Sequence, residues 1–439
     1  MRKLRSQQFG DAIMKMYPEL ADRGLSHTVT FQVTDSCNLS CKYCYQINKG
    51  KRSMSFETAK KAIDLLLSGE KGFKDFISPD NSPAIIIDFI GGEPLLEVEL
   101  IDQIIEYFKK KTREQMHPWA TMYRFSICSN GVEYFNPKVQ ELLRKHGHNI
   151  SFNITLDGNK ELHDSCRVFA DGRGSYDIAL AAIEHYKKNY GTMGSKITIA
   201  PGNLPYVKDA IIHMVELGYD EIYANPVFEK GWEQHHATEY YYILKEIADY
   251  FLDHNLMETV YCSLFEEDEM FSKRAEDDLQ SWCGGASHML AIDPDGKLYP
   301  CIRFMESSLG DSREPIIIGN VDAGIGITKK EKCWLCDLNC VNRRTQCDDE
   351  CFNCPINKGC ADCAAYNYQD SGKLQSKAKY ICEMHKARSL ANAYLWNKYY
   401  KQIGQDKVFH INCPKEWALR IINEDEYNML LELERGNEK

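Results

Sequence analysis

No uninterrupted apolar run in these 439 residues is long enough to span a bilayer, which argues against a membrane-embedded protein. The start, Met1 to Met16, mixes charged and polar residues and lacks the apolar core of a signal peptide. A cytoplasmic protein is the expectation. Basic charge is in deficit: 53 Lys and Arg face 64 Asp and Glu, a net charge of −11. That balance excludes nucleic acid as the main partner, because phosphate binding needs a basic surface. There is no internal sequence repeat. Size is not limiting, since a chain of this length can hold a large domain and a smaller one.

Cysteine is what the chain has in plenty, 18 in all. In a reducing cytosol, ligation is a better reading of them than disulfides. Three lie in the run Cys37-Asn-Leu-Ser-Cys41-Lys-Tyr43-Cys44, directly after an apolar strand. Such spacing lets three thiolates take three corners of an iron–sulfur cube and leaves the fourth iron open to a small molecule. A zinc knuckle there would need a fourth Cys or His close by, and the next candidates are distant. Eleven more cysteines fall between Cys283 and Cys382. Cys128, Cys166, Cys262 and Cys413 stand apart, and each is expected to be a small buried hydrophobe.

From about residue 28 to 254 the pattern alternates strand and helix. Strands are expected at Thr28–Val33, Ala84–Ile90, Tyr123–Cys128, Asn149–Leu156, Lys196–Ala200 and Glu221–Val227, with apolar stripes at helical spacing between them. Six βα units in series imply an α/β fold with a parallel sheet. A doubly wound sheet and an incomplete barrel both fit. The polar motifs Cys37–Cys44, Gly91–Pro94, Ser129–Gly131 and Asp157–Gly158 all follow strand ends, which favours a partial (β/α)6 TIM barrel. Past residue 282, cysteine density rises and helical periodicity fades. Met289–Ile292, the turn Asp293-Pro-Asp-Gly296 and Lys297–Cys301 read as a β-hairpin. Ala387–Tyr400 reads as a helix, and the charged end beyond it as frayed. The expected divisions are an extension at 1–27, the barrel at 28–254, a linker at 255–282, a cysteine-rich domain at 283–390 and a helical tail at 391–439.

The Cys-x3-Cys-x2-Cys loop after the first strand of a six-fold βα series, with aromatic Tyr43 before its last cysteine, resembles the radical S-adenosylmethionine (SAM) enzymes. The resemblance implies a [4Fe–4S] cluster on Cys37, Cys41 and Cys44 whose open iron chelates the amino and carboxylate groups of SAM. Tyr43 would pack near the adenine; the alternative is an ordinary core aromatic. Gly91-Gly92-Glu93-Pro94 is similar to the stretch that holds the methionyl amine, since glycines permit close approach and Glu93 can accept from an ammonium group. Alone, it would read as a turn. Ser129-Asn130-Gly131, and Asn153 through Asp157-Gly158, resemble the family's ribose-side and substrate-side positions. His163, Asp164 and Arg167 resemble an HD..R stretch of one branch, in which the arginine lies near the SAM carboxylate. A structural ion pair is the other reading of Arg167.

The later cysteines resemble the SPASM auxiliary-cluster domain. The resemblance implies two further [4Fe–4S] clusters: an outer one on Cys351, Cys354, Cys360 and Cys382, and an inner one on Cys283, Cys301 and Cys363. Two departures stand out. Cys363 follows Cys360 after two residues where the family usually has three, and Asp277 occupies the place of a further inner cysteine in anaerobic sulfatase-maturing enzymes. An additional set, Cys333, Cys336, Cys340 and Cys347, has three open readings: a zinc site, completion of the inner cluster, or redox thiols.

The stretch Cys360-Ala-Asp-Cys-Ala-Ala-Tyr-Asn-Tyr368 is similar to that of maturases acting on ribosomal peptides with repeated Cys-x-x-x units. The implied activity is thioether formation between a cysteine sulfur and a carbon. Implied partners are a cysteine-containing precursor peptide and an electron donor such as flavodoxin or ferredoxin. The 27 residues before the first strand are too few for an independently stable leader-binding domain, so leader recognition is expected to use another surface or a separate leader-binding protein. Acidic Glu266–Glu269 and Glu276–Asp278 read as a solvated face, or as a contact for a basic leader. The rivals are formylglycine formation on sulfatases and a zinc-rich scaffold or peptide-binding protein without catalysis.

Overall fold

The computed structural model describes residues 26–275, 279, 283, 285 and 289–436. The expected extension up to residue 25, and Glu276–Asp278 with Asp277, lie outside the described residues. Six parallel strands alternate with helices as the periodicity predicts. They are β1 (Ser26–Thr34), α1 (Phe56–Ser68), β2 (Ala84–Gly91), α2 (Val98–Glu114), β3 (Tyr123–Ser129), α3 (Pro137–His146) and β4 (Ile150–Ile154). Then follow α4 (Lys160–Cys166), α5 (Tyr176–Tyr190), β5 (Ser195–Ile199), α6 (Val207–Glu216), β6 (Glu221–Pro226) and α7 (Gln234–Asp253). Local signals fix the ends. Ser55 caps α1 by accepting from the Thr58 N–H at 3.1 Å, and Asn159 caps α4 through the Leu162 N–H at the same distance.

The strands form an arc rather than a closed ring, and its ladder is interrupted between β4 and β5. Where β5 would continue the ladder, the Ile154 N–H donates instead to Met193 Sδ at 3.3 Å. A short β7 (Tyr261–Cys262), which the sequence pattern missed, adds to β6 in parallel. One face of the arc is apolar under the helices, with Ile85, Ile87, Phe89, Phe125, Ile127, Phe152 and Ile197 nearly inaccessible. The other carries Asp88, Ser126, Cys128, Asn153, Lys196, Thr198 and Asn225 and reaches solvent. Parallel strands are usually buried on both faces, so this alternation marks a wet concavity in place of a filled barrel core.

The cysteine-rich part is not a detached lobe. Its hairpin, β8 (Met289–Ile292) and β9 (Lys297–Tyr299), joins the free edge of β1 through parallel pairing of β1 with β8. β10 (Gly319–Asn320) and β11 (Gly324–Ile325) extend it. An ion-pair clamp ties the hairpin turn to the side of the Cys37–Cys44 loop: Arg52 reaches Asp35 and Asp295, each at 2.6 Å. α8 (Lys329–Asn339) and α9 (Ala364–Ser371) frame the thiols, and α10 (Cys382–Gln402) packs along α7. α10 runs unbroken through residues 390 and 391. The end beyond it is not frayed: α11 (Glu424–Arg435) docks on α7, where Glu426 accepts from Tyr241 Oη at 2.7 Å and pairs with Lys245 at 2.6 Å. The first two residues of the acidic run are likewise engaged internally. Glu266 accepts from Tyr261, and Glu267 binds Tyr400 and Lys407. No helix among the described residues is long and apolar enough to cross a membrane.

Candidate active site

The Cys37–Cys44 loop leaves β1 and is pinned by backbone bonds to the end of α4 and the residues just after it: Ser40 N–H to Val168 O at 2.7 Å, Lys42 N–H to Cys166 O at 3.0 Å. All three thiols are half-buried. Burial raises the pKa of Cys37 and Cys41, against the pull of the Leu39 N–H and Lys49 on Cys37 and of Arg167 on Cys41. Their ligand character therefore depends on a cation arriving to stabilise the thiolates.

Gly92 explains its own identity. A Cβ there would lie 2.3 Å from Ser36 O and 2.8 Å from Cys37 Cβ, so only glycine lets the end of β2 touch the cysteine loop. Glu93 next to it is 1% exposed. Its carboxylate accepts from the Leu95 N–H at 3.1 Å, Ser129 Oγ at 2.8 Å and the Asn130 N–H at 2.8 Å. Burial pushes its pKa up to about 7 despite those donors. Glu93 thus fastens Gly91–Pro94 to Ser129–Gly131. Asn130 in turn donates to Asn38 Oδ1 at 2.7 Å and lies 4.0 Å from Cys37 Sγ.

On the other side of the loop, Asp157 accepts from Tyr43 Oη and from Arg167 Nε, the latter at 2.8 Å. The Arg167 guanidinium lies 5.4 Å from the centre of the Tyr43 ring. Burial alone would lower the pKa of Arg167, but Asp157, Tyr43 and Cys41 together hold it above its ordinary value. His163 supports this trio. Its Nδ1 accepts from the Asp157 N–H at 3.3 Å and its Nε2 meets Ser175 Oγ at 3.0 Å. Burial depresses its pKa to about 4, so the ring is neutral near pH 7. Asn153 stands on the wet face of β4, level with Cys128 of β3. Cys128 is not the buried hydrophobe expected: it is exposed into the concavity, its Sγ 3.6 Å from Thr155 Oγ1. Cys166 is half-buried, whereas Cys262 and Cys413 are buried as expected.

Two thiol-lined cavities lie beyond the arc. Cys351, Cys354, Cys360 and Cys382 line the outer one together with Cys347. Cys283, Cys301 and Cys363 line the inner one with Asp362. A Cβ on Gly285 would sit 3.4 Å from Cys283 Sγ and 3.6 Å from Cys301 Sγ, so those two sulfurs converge around a space that glycine leaves free. Arg303 lies beside the Cys37–Cys44 loop, 5.5 Å from the ring of Tyr45, immediately after Cys44, and its charge lowers the pKa of the inner thiol Cys363 against the burial that raises it.

The structure does not bring Cys333, Cys336, Cys340 and Cys347 together. The first three are exposed on one face of α8 and its cap, and Cys347 joins the outer set. Among the described residues no three thiols have sulfurs mutually within 4.8 Å, whereas thiolates about 2.3 Å from one zinc must lie closer than that. One group does meet that distance, Asp102, Glu106 and His146, but Lys145 pairs with both carboxylates and Lys109 Nζ lies 2.8 Å from His146 Nδ1. Those cations fill the role a metal would take. Sequence reasoning grouped Cys347 with Cys333, Cys336 and Cys340, although Cys347-x3-Cys351-x2-Cys354 repeats the spacing of the Cys37–Cys44 loop.

Comparison with known proteins agrees with this geometry. Residues 31–217 match the profile of the Radical SAM superfamily. The uncharacterized protein MJ0907 of Methanocaldococcus jannaschii is 30% identical over 199 residues, 45% of this chain and 62% of that protein. The radical SAM cyclopropyl synthase TigE of Paramaledivibacter caminithermalis is 22% identical over 81% of this chain and 71% of its own length. The structure of anSMEcpe with bound AdoMet superposes with a TM-score of 0.64 at 17% identity, covering 86% of this chain and all of that one. The same protein with AdoMet and the Cp18Cys peptide gives 0.61, over 86% of this chain and 99% of that one. Residues 31–217 therefore form a radical SAM domain, in a chain that is similar over most of its length to an enzyme of that superfamily.

Proposed function

We propose that this enzyme acts on a cysteine-containing, ribosomally made peptide and joins a cysteine sulfur to a carbon of that peptide. One observation carries the reading: a second cavity is lined by three thiols, and Arg303, whose charge acts on Cys363 there, lies 5.5 Å from the ring of Tyr45 beside the Cys37–Cys44 loop. Cys37, Cys41 and Cys44 would hold a [4Fe–4S] cluster, Cys283, Cys301 and Cys363 the inner auxiliary cluster, and Cys351, Cys354, Cys360 and Cys382 the outer one. Loaded with SAM and reduced, the first of these supplies a 5′-deoxyadenosyl radical. Glu93 keeps the two loops around the SAM position in register, and the Asp157–Arg167–Tyr43 trio closes the opposite wall. The wet face of the arc offers Asn153, Thr155, Lys196 and Thr198 as hydrogen-bond partners for an extended peptide. Thioether formation would move a hydrogen atom from the peptide carbon to the radical and the thiol proton to solvent, and auxiliary clusters held by the later thiols would supply the acceptor for the one remaining electron.

Reaction of the reconstituted enzyme with SAM, a reductant and a candidate peptide tests this by mass and by thiol alkylation. Thioether formation removes two hydrogens and one alkylatable thiol. Likeness to a cyclopropyl synthase over most of the chain supports a second reading, carbon–carbon ring closure, in which two hydrogens are lost and every thiol remains alkylatable. An aldehyde product would indicate formylglycine formation instead. A colourless protein that holds zinc and no iron would end the enzymatic reading of the thiols.

A further inference from the structure

The two thiol cavities are unequally furnished. Five thiols line the outer one, and three line the inner one. A cube of four irons takes four ligands, so the inner set is one short and the outer set has one to spare. Asp362 is the carboxylate that lines both cavities, and it sits between Cys360 on the outer wall and Cys363 on the inner one. It is 8% exposed. One of its oxygens, Oδ1, accepts from Asn367 Nδ2 at 3.0 Å. Asn367 is itself held by Leu374 O at 3.3 Å, which fixes the direction of the Asp362 side chain. On the outer side the charges of Lys377 and Lys273 act on Asp362, but among the described residues no Lys or Arg lines the inner cavity, where a metal is one of the few partners that suffice for a buried carboxylate.

We propose that Asp362 supplies the fourth ligand of the inner auxiliary cluster, an oxygen donor at the corner opposite Cys283, Cys301 and Cys363. This rests on the auxiliary-cluster reading above. The neighbouring thiols explain why the outer cluster does not claim it: Cys347 already provides a fifth sulfur there. Oxygen is the hardest of the four donors on an iron that prefers thiolate, so it is the most readily exchanged. A peptide thiol entering the inner cavity would bind that iron as thiolate, release its proton to solvent and displace the carboxylate, with no change in oxidation state. The inner iron would thus be closed at rest and open to a cysteine substrate.

The test uses the full chain with Cys37, Cys41 and Cys44 replaced by alanine, so that iron and electron paramagnetic resonance (EPR) signals report the auxiliary clusters alone. About eight irons per chain are expected in this parent; loss of that iron would overturn the cluster reading and the proposal with it. Against the parent, Asp362→Ala and the isosteric Asp362→Asn are expected to keep their iron but change the g-values and midpoint potential of one cluster only. Asp362→Cys is expected to give a four-thiolate spectrum. Free cysteine should perturb the Ala variant at lower concentration than it perturbs the parent. Spectra and potentials of the Ala and Asn variants that superimpose on the parent, with iron intact, would overturn the ligation while leaving the cluster reading standing.

Discussion

Replacing Glu93 by glutamine puts an NH2 group where three donors now converge on a carboxylate, the Leu95 N–H, Ser129 Oγ and the Asn130 N–H. Whichever way the amide is turned, one buried donor loses its acceptor, at a cost of about 1–3 kcal/mol. A second, pH-dependent effect acts in the opposite direction. The folded protein holds the Glu93 proton up to about pH 7, against an ordinary value of 4.5. Between those values the folded state binds more protons than the unfolded one, so this group's contribution to stability falls as pH rises and levels off above about 7. From about pH 5.5 to 8, that is roughly 2 kcal/mol lost by the parent and not by E93Q. Urea unfolding of both proteins, anaerobically and across that range, isolates the group because all other titrations cancel in the difference. The stability gap between parent and E93Q should shrink by about 2 kcal/mol as pH rises. A gap that stays constant would mean that Glu93 ionises normally, and would refute the buried bridge between the two SAM-side loops.

Gly92→Ala should leave the fold in place but cost about 1–3 kcal/mol and most of the radical-site iron, because its Cβ meets Ser36 backbone at 2.3 Å; iron analysis and thermal melting check it. Arg167→Met removes the partner of an Asp157 carboxylate that is 2% exposed, so a loss of about 3–5 kcal/mol is expected. The double change Arg167→Met with Asp157→Leu should cost less than the sum of the singles in a double-mutant cycle. After iron is stripped by a chelator, iodoacetamide should reach the exposed Cys128, Cys283, Cys333, Cys336 and Cys340 first, the half-buried cysteines next, and Cys262 and Cys413 only on unfolding. Those last two are buried, with pKa values pushed up to about 12. Early labelling of Cys413 in peptide maps would contradict the packing around α10.

Much of the arc is legible in the sequence because strand and helix periodicities are local. Tyr123–Ser129 even alternates polar and apolar residues, a sign of the wet face that Cys128 shares. The turn Asp293–Gly296 likewise announces its hairpin. The attachment of that hairpin to β1 is not legible, since it is a pairing across some 260 residues that depends on which edge β1 leaves free. The break after β4 depends on the placement of Met193, and the docking of the charged C-terminal helix on Tyr241 and Lys245 of α7. The radical loop is readable as a cluster site from three residues. The division of the later thiols is harder, because Cys347 and Asp362 are assigned by which cavity they face and not by spacing alone.

The central claim is that Cys37, Cys41 and Cys44 make this chain cleave SAM reductively. The most direct measurement quantifies 5′-deoxyadenosine from the anaerobically reconstituted parent and from Cys41→Ala, each given SAM and dithionite. The parent should form it, and the variant should form none while keeping the iron of its auxiliary sites. Equal production by the two proteins would contradict the account.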